Sequence, residues 1–287
     1  MYPYYAVKEQ IKIARWQMRR RAAARQYGAE TLAQMPLVFG NAIPKSGSHL
    51  INQVLKGLPK LGPFVVSGFP PVNRWEDNRK LSPEKTLANI ERMRPGDIGY
   101  GYVHCKPPFI KALTAPQRAT IFIYRDPRDV VVSAVKYGAY MNPDHPLHSY
   151  YWEHLKNDEE RYNAIIQGID HPEYPYSSIH TRYQNYLGWL EQPRVLCLRF
   201  EDLILDQETA LGKVLDYLSG FGFTLRVPKE KAVQTLAKSL SPESSGTYRK
   251  GQPGGWKENF SPQNKETFKD TAGDLLIQLG YEKGQDW

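Results

Sequence analysis

The side chains best placed to do chemistry in this chain fall in two short stretches about eighty residues apart. The first runs from Leu37 to His49. An apolar segment breaks into the polar turn Pro44-Lys45-Ser46-Gly47-Ser48 and resumes with helical spacing. Such a turn offers what a tetrahedral anion needs: Gly47 lets the backbone fold close, the first helix amides point outward, and Lys45 adds a full charge. The second runs from Thr120 to Ser133, a β-rich segment that ends at Arg125 and passes into a Pro-started helix. Arginine makes bidentate contacts to phosphate, and Ser133 lies two helical turns on, sharing a face with the start of its helix. A lysine turn beside a strand ending in arginine suits a ligand with two separate anionic groups. His104, at the end of a third apolar run, is the residue type that accepts a proton near neutral pH.

These side chains need a scaffold that brings strand ends together. The pattern predicts strands over Leu37 to Ile43, Phe64 to Ser67, Ile98 to His104, Thr120 to Tyr124 and Arg194 to Arg199. Helices are predicted over Ser48 to Lys56, Pro83 to Met93, Pro127 to Tyr140, His180 to Leu190, Gln207 to Leu218 and Pro262 to Leu279. Strands alternating with helices give βαβ units, hence an α/β fold: three layers, αβα, around a central parallel sheet. Ligands of open parallel sheets bind beyond the carboxyl ends of the strands, where Lys45, His104 and Arg125 all fall. The polar Gly/Pro-rich piece from Thr247 to Gly255 reads as a long loop.

Composition narrows the partners. With 287 residues, 41% hydrophobic and 24% charged, the chain has the make-up of a soluble globular protein, and no run is long and apolar enough for a membrane span. The N-terminus lacks the order of a secretory signal. Two cysteines, Cys105 and Cys197, are too few for a disulfide scaffold or a cysteine zinc site, and a cytoplasmic location is expected. His145, His148 and His154 have loose metal-ligand spacing without a carboxylate cluster, so no metal is expected. The net charge of +8 favours anionic partners. Much of it sits in residues 1–35, where Val7, Ile11, Ala14, Met18 and Ala22 recur at helical spacing among Lys8, Lys12, Arg15, Arg19, Arg20, Arg21 and Arg25. Two readings follow: a helix docked on the domain of residues 36–287 with its cationic face in solvent, or peripheral contact with an anionic membrane. No groove-reading motif accompanies the charge, so nucleic acid is not expected.

The lysine turn is not a Walker A sequence, because Pro44 precedes the lysine where a glycine would stand. Pro44-Lys-Ser-Gly-Ser-His49 instead resembles the P-K-S-G-T-T signature of sulfotransferases that use 3′-phosphoadenosine 5′-phosphosulfate (PAPS). Tyr124-Arg-Asp-Pro-Arg-Asp-Val-Val-Val-Ser133 is similar to their 3′-phosphate motif, and Tyr248-Arg-Lys-Gly-Gln-Pro-Gly-Gly-Trp-Lys257 to their R-K-G-x-x-G-x-W-K loop. The resemblance implies a P-loop-type nucleotide-binding fold, PAPS as donor and adenosine 3′,5′-bisphosphate (PAP) as product. It implies that Lys45, Ser46, Gly47, Ser48 and His49 hold the 5′-phosphosulfate, and that Arg125, Ser133, Arg249, Lys250 and Gly251 hold the 3′-phosphate. His104 takes the place of the family's catalytic histidine, with Lys45 beside the bridging oxygen. Tyr102 stands where the family has a lysine, His49 where it has a threonine, Leu50 where it often has a tryptophan and Phe200 where it often has a tyrosine. His49 is a second candidate for the histidine, and Lys106 for the displaced lysine. The acceptor hydroxyl belongs to a phenol, alcohol, lipid or sugar, with contacts expected within Tyr140 to Trp152. Two other functions compete: a P-loop nucleotide kinase, and a non-catalytic nucleotide-binding module docked on an anionic membrane.

Overall fold

Five strands form one parallel sheet in the computed structural model, which describes residues 2–241 and 252–287. The strands are β1 (Leu37–Ala42), β2 (Val65–Val66), β3 (Asp97–Gly101), β4 (Arg118–Tyr124) and β5 (Val195–Arg199), in the order β2-β3-β1-β4-β5. Fourteen α-helices accompany them among the described residues. Before β2 come α1 (Tyr2–Tyr27), α2 (Ala29–Gln34) and α3 (Ser48–Gly57). Between β2 and β5 lie α4 (Pro83–Glu91), α5 (Pro107–Leu113), α6 (Pro127–Lys136), α7 (His148–Glu153), α8 (Asp158–Gln167) and α9 (Ile179–Leu187). After β5 follow α10 (Phe200–Leu205), α11 (Gln207–Ser219), α12 (Lys229–Ala237), α13 (Trp256–Asn259) and α14 (Pro262–Gln278).

Alternation along the strands sorts the core into two layers. Val38, Ile121 and Ile123 pack with Ile51, Val54 and Leu55 of α3 and Leu211 and Leu215 of α11. Their neighbours Phe39 and Phe122 face the other way, onto Val131 and Val135 of α6, Ile165 of α8, Tyr183 of α9 and Leu275 of α14. The result is the three-layer αβα arrangement that the strand–helix alternation predicts.

Two of the element boundaries that differ from the sequence reading bear on the site. The third strand ends at Gly101, leaving His104 on a loop, and α6 stops at Lys136, where the five-residue π turn Tyr137–Met141 takes over. Gly138 in that turn has no room for a Cβ, which would lie 2.8 Å from both His145 and Tyr151. The wider turn brings the 145–151 segment against the helix end.

Helix α1 reverses the expected face. Val7 (59% exposed), Ile11, Ala14, Met18 and Ala22 point to solvent. The side that docks carries Trp16, Arg19, Arg20 and Ala23. The Trp16 indole N–H donates to Asp97 Oδ1 at 2.9 Å, and Arg20 pairs with the same carboxylate at 2.7 Å. Arg19 donates to the Ser67 carbonyl at 2.6 Å. Asp97 is fully buried at the start of β3, and a buried carboxylate without partners is costly. Satisfying it orients the helix more strongly than Val7 or Met18 could.

Candidate functional site

β1 lies between β3 and β4, so the chain leaves it toward one side of the sheet and later returns to the other, which opens a crevice at its carboxyl end. The register puts three side chains at one level: Asn41 pairs with Gly101 and Ala42 with Ile123. Lys45, His104 and Arg125 therefore each lie two or three residues past a common line across neighbouring strands. All three line one open cleft of about 2160 Å³. That exceeds the roughly 300–1,000 Å³ of an ordinary single-ligand pocket, leaving room for two ligands side by side.

At the turn after β1, Lys45 (φ 72°) and Gly47 (φ 99°) adopt left-handed backbone conformations. Gly47 is obligatory on a second count, because a Cβ there would lie 2.5 Å from the Phe200 ring. Ser46 is fully buried. Its amide donates to the Ile43 carbonyl at 3.0 Å, and its hydroxyl lies 2.6 Å from the same oxygen and 3.2 Å from the Ile123 carbonyl. Ser46 thus ties the turn to the ends of β1 and β4, with no donor left for a ligand. The amides of Gly47, Ser48 and His49, by contrast, make no backbone bond among the described residues, as expected for a helix start. Ser48 Oγ lies 3.1 Å from the Tyr102 hydroxyl, and the His49 side chain is exposed on the first turn. Partial desolvation against the protein surface, then Lys45 and Lys56, lower the His49 pKa. Leu50 is largely buried among core side chains and also lines the cleft.

The Lys45 ammonium sits 3.8 Å from the centre of the Tyr137 ring, a cation–π contact. Burial, then the charge of Arg125, lower its pKa to about 8. Arg125 stacks 4.3 Å over the face of Phe200, the same ring that closes against Gly47. One aromatic side chain thus backs both the lysine turn and Arg125. Arg125 Nη2 reaches Asp129 Oδ2 at 3.3 Å, while its buried Nε has no partner among the described residues. Ser133, half-buried on α6, lines the cleft as well. Arg249, Lys250 and Gly251 lie outside the described residues. The chain that follows them is anchored, since Asp129 accepts the Gly254 and Trp256 amides, both at 2.9 Å.

His104 is held by contacts that the sequence does not announce. Buried Asn41 receives the Val103 amide at 2.8 Å and donates to the Val103 carbonyl at 2.9 Å. Asn73 does the same for Tyr102, at 3.0 and 2.7 Å. Trp189 Nε1 adds a second donor to the Val103 carbonyl at 2.9 Å. These amide clamps replace strand pairing just where β3 stops. The imidazole packs edge-on to Tyr186, 4.9 Å between centres. Burial comes first in lowering its pKa, followed by Lys106, Lys80 and Arg74. The lowered pKa favours the neutral imidazole, whose lone pair can accept a proton, although the surrounding cations weaken it as a base.

The aromatic segment divides. Tyr151 is fully buried, Trp152 donates to the Ala139 carbonyl, and Tyr150 clusters with His154, His171 and Tyr174. Met141 and His145 reach the cleft. Cys105, next to His104, is no nucleophile at neutral pH, because burial, then Glu191, raise its pKa to about 11. Among the described residues, no cluster of three or more His, Cys, Asp or Glu forms a metal site, and no helix is long and apolar enough to cross a membrane.

Comparison with known proteins gives a consistent result. The family model described as a sulfotransferase domain matches residues 38–280. The chain is 27% identical over 256 residues to sulfotransferase 2A6 of Mus musculus, covering 82% of each protein. It is 23% identical over 247 residues to the 3-alpha-hydroxysteroid sulfotransferase of Cavia porcellus, covering 78% of each. Among solved structures it is similar to mouse sulfotransferase SULT7A1 complexed with PAP, with a TM-score of 0.60 at 19% identity, covering 88% of this chain and 93% of that one. Retinol dehydratase in complex with androsterone and the inactive cofactor PAP matches with a TM-score of 0.54 at 16% identity, over 86% of this chain and 83% of that one. At these identities the solved structures establish a shared fold.

Proposed function

The chain belongs to the sulfotransferase family, and from that premise we propose that it transfers a sulfuryl group from PAPS to the hydroxyl of a small acceptor. The observation that carries this reading is the single level at which Lys45, His104 and Arg125 leave three adjacent strands. PAPS has anionic groups at both ends of an adenosine, and the cleft offers two cationic grips backed by one phenyl ring. The free amides of Gly47, Ser48 and His49 and the unpartnered Arg125 Nε are the donors such a ligand would satisfy. Ser46 supports the turn from behind, and Ser133 adds a hydroxyl beside Arg125. Arg249, Lys250 and Gly251 are assigned to the 3′-phosphate by the motif alone.

The donor supplies the sulfuryl group; this chain's residues place and stabilise it. Transfers of this kind proceed in line and depend on positioning and charge stabilisation. Lys45 balances the negative charge that builds on the bridging oxygen as its bond to sulfur breaks. His104 takes the proton of the acceptor hydroxyl as that oxygen bonds to sulfur. The cleft beyond His104 is walled by Phe69, Trp75, Tyr102, Phe109, Tyr174 and Tyr176, which suits a hydroxylated ring compound. A hydroxysteroid and androsterone, named with two of the similar proteins, are of that kind.

The test uses sulfur-labelled PAPS, a panel of phenols and alcohols, and His104→Ala. The reading expects label on an acceptor hydroxyl without added magnesium, with turnover abolished by His104→Ala and PAP binding retained. Magnesium-dependent ATP turnover without sulfation would establish the kinase instead. Tight PAP binding with no transfer to any acceptor would establish the idle binding module.

A further inference from the structure

The outward face of α1 has no role in the transfer chemistry and no partner in the fold. At about 100° per residue, Val7, Ile11, Ala14, Met18 and Ala22 form one stripe, opposite the docked Trp16 and Ala23. Val7, Ile11 and Met18 are among the few exposed large hydrophobic side chains of the described residues, at 59, 46 and 58%. Arg15 and Arg21 flank the stripe and Arg25 continues it; all three are exposed. The ion pairs of the helix run elsewhere, from Lys12 to Glu76, Arg20 to Asp97 and Glu9 to Arg92. These bonds fix α1 against the domain, so its free face is a rigid surface rather than a fraying end.

We propose that this face docks α1 flat on an anionic lipid bilayer. An apolar stripe edged by arginines is the pattern of an in-plane interfacial helix: the apolar side chains enter the headgroup boundary and the guanidiniums meet lipid phosphates. A second copy of this chain fits the face less well, because pairing two stripes would bring arginine-lined edges of the same sign together. The position of the helix also has a consequence for access. Lys12, and Phe69 and Glu76 which pack on α1, belong to the rim of the cleft. These contacts are on the side of α1 turned away from the stripe, so docking places the helix, about 10 Å across, between the lipid surface and the rim of the cleft. The docking itself does not depend on the transfer reaction.

Flotation of the full chain with vesicles of phosphatidylcholine alone, or of phosphatidylcholine with phosphatidylserine, tests the proposal. The chain is expected to float with the serine-lipid vesicles and stay behind with the neutral ones. Ile11→Glu with Met18→Glu should lower the partition coefficient more than about tenfold, since each apolar side chain withdrawn from water is worth about a factor of ten. Arg15→Gln with Arg21→Gln and Arg25→Gln should lower it about a hundredfold, at about fivefold per cation. Unchanged PAP affinity in both variants shows that they fold. Absence of flotation, equal flotation with both vesicles, or a wild-type dimer that Ile11→Glu with Met18→Glu disperses would each overturn the proposal.

Discussion

Replacing Asn41 by alanine separates positioning of the histidine from binding of the nucleotide. Its side chain is fully buried, makes both bonds to the Val103 backbone and touches neither anion grip. In Asn41→Ala the Val103 carbonyl keeps the Trp189 indole as a donor, but the Val103 amide is left buried and unpaired. An unsatisfied buried donor costs about 1–3 kcal/mol, and the small cavity adds about 1 kcal/mol. A total of about 2–4 kcal/mol corresponds to a fall in Tm of about 4–16 °C at about 2–4 °C per kcal/mol. The larger effect is on catalysis, because Val103 carries His104 and a displacement of about 1 Å costs about a hundredfold in rate. Calorimetric titration with PAP, thermal unfolding and turnover with a fixed acceptor measure the three quantities together. A fall in kcat of about a hundredfold with PAP affinity within about twofold is the expected pattern. Wild-type kcat in a variant destabilised as calculated would refute the claim that the Asn41 clamp aims His104.

Other perturbations probe the rest of the site. Gly47→Ala forces a Cβ into a left-handed position against Phe200; the conformation costs about 1–2 kcal/mol and the overlap about 1–3 kcal/mol, so PAP affinity should fall at least tenfold by calorimetry. A pH profile of kcat/KM should fall on the alkaline side near pH 8. There Lys45, with its pKa lowered to about 8, sheds its proton and loses its hold on an anion. Its acid limb should lie below the usual histidine range, because the His104 pKa is lowered and the base is lost only when the ring is protonated. Arg128→Met should destabilise the fold by about 3–5 kcal/mol in chemical denaturation, since it leaves the buried Asp126 carboxylate, and Glu282, without their guanidinium partner.

The five strands and the placing of Lys45 and Arg125 just past strand ends were legible because they are local: an apolar run, a charged residue and a helix start lie within a dozen residues. What holds His104 was not, because Asn41 lies 62 residues from Val103 and Asn73 lies 29 from Tyr102. Nothing near an isolated asparagine announces which backbone it will clamp. The extent of α6 was overread, since the apolar periodicity runs on through Tyr140 whereas the chain widens into a π turn at Gly138. Helix α8 left a signal that was passed over: Asn157 caps Glu160, and three acidic residues fill the first turn. For α1 the helix and its apolar stripe were readable, but periodicity gives two faces without saying which one docks. That was decided by Asp97, which needs Trp16 and Arg20.

The account depends on one ligand joining the lysine turn to Arg125. Calorimetric titration of the protein with PAP and with AMP, repeated on Arg125→Ala, tests this most directly. A charge-assisted hydrogen bond contributes about 1.5–3 kcal/mol, so wild type should bind PAP at least tenfold more tightly than AMP, and Arg125→Ala should erase the difference while leaving AMP unaffected. Equal affinity for the two nucleotides in the wild-type protein would contradict it.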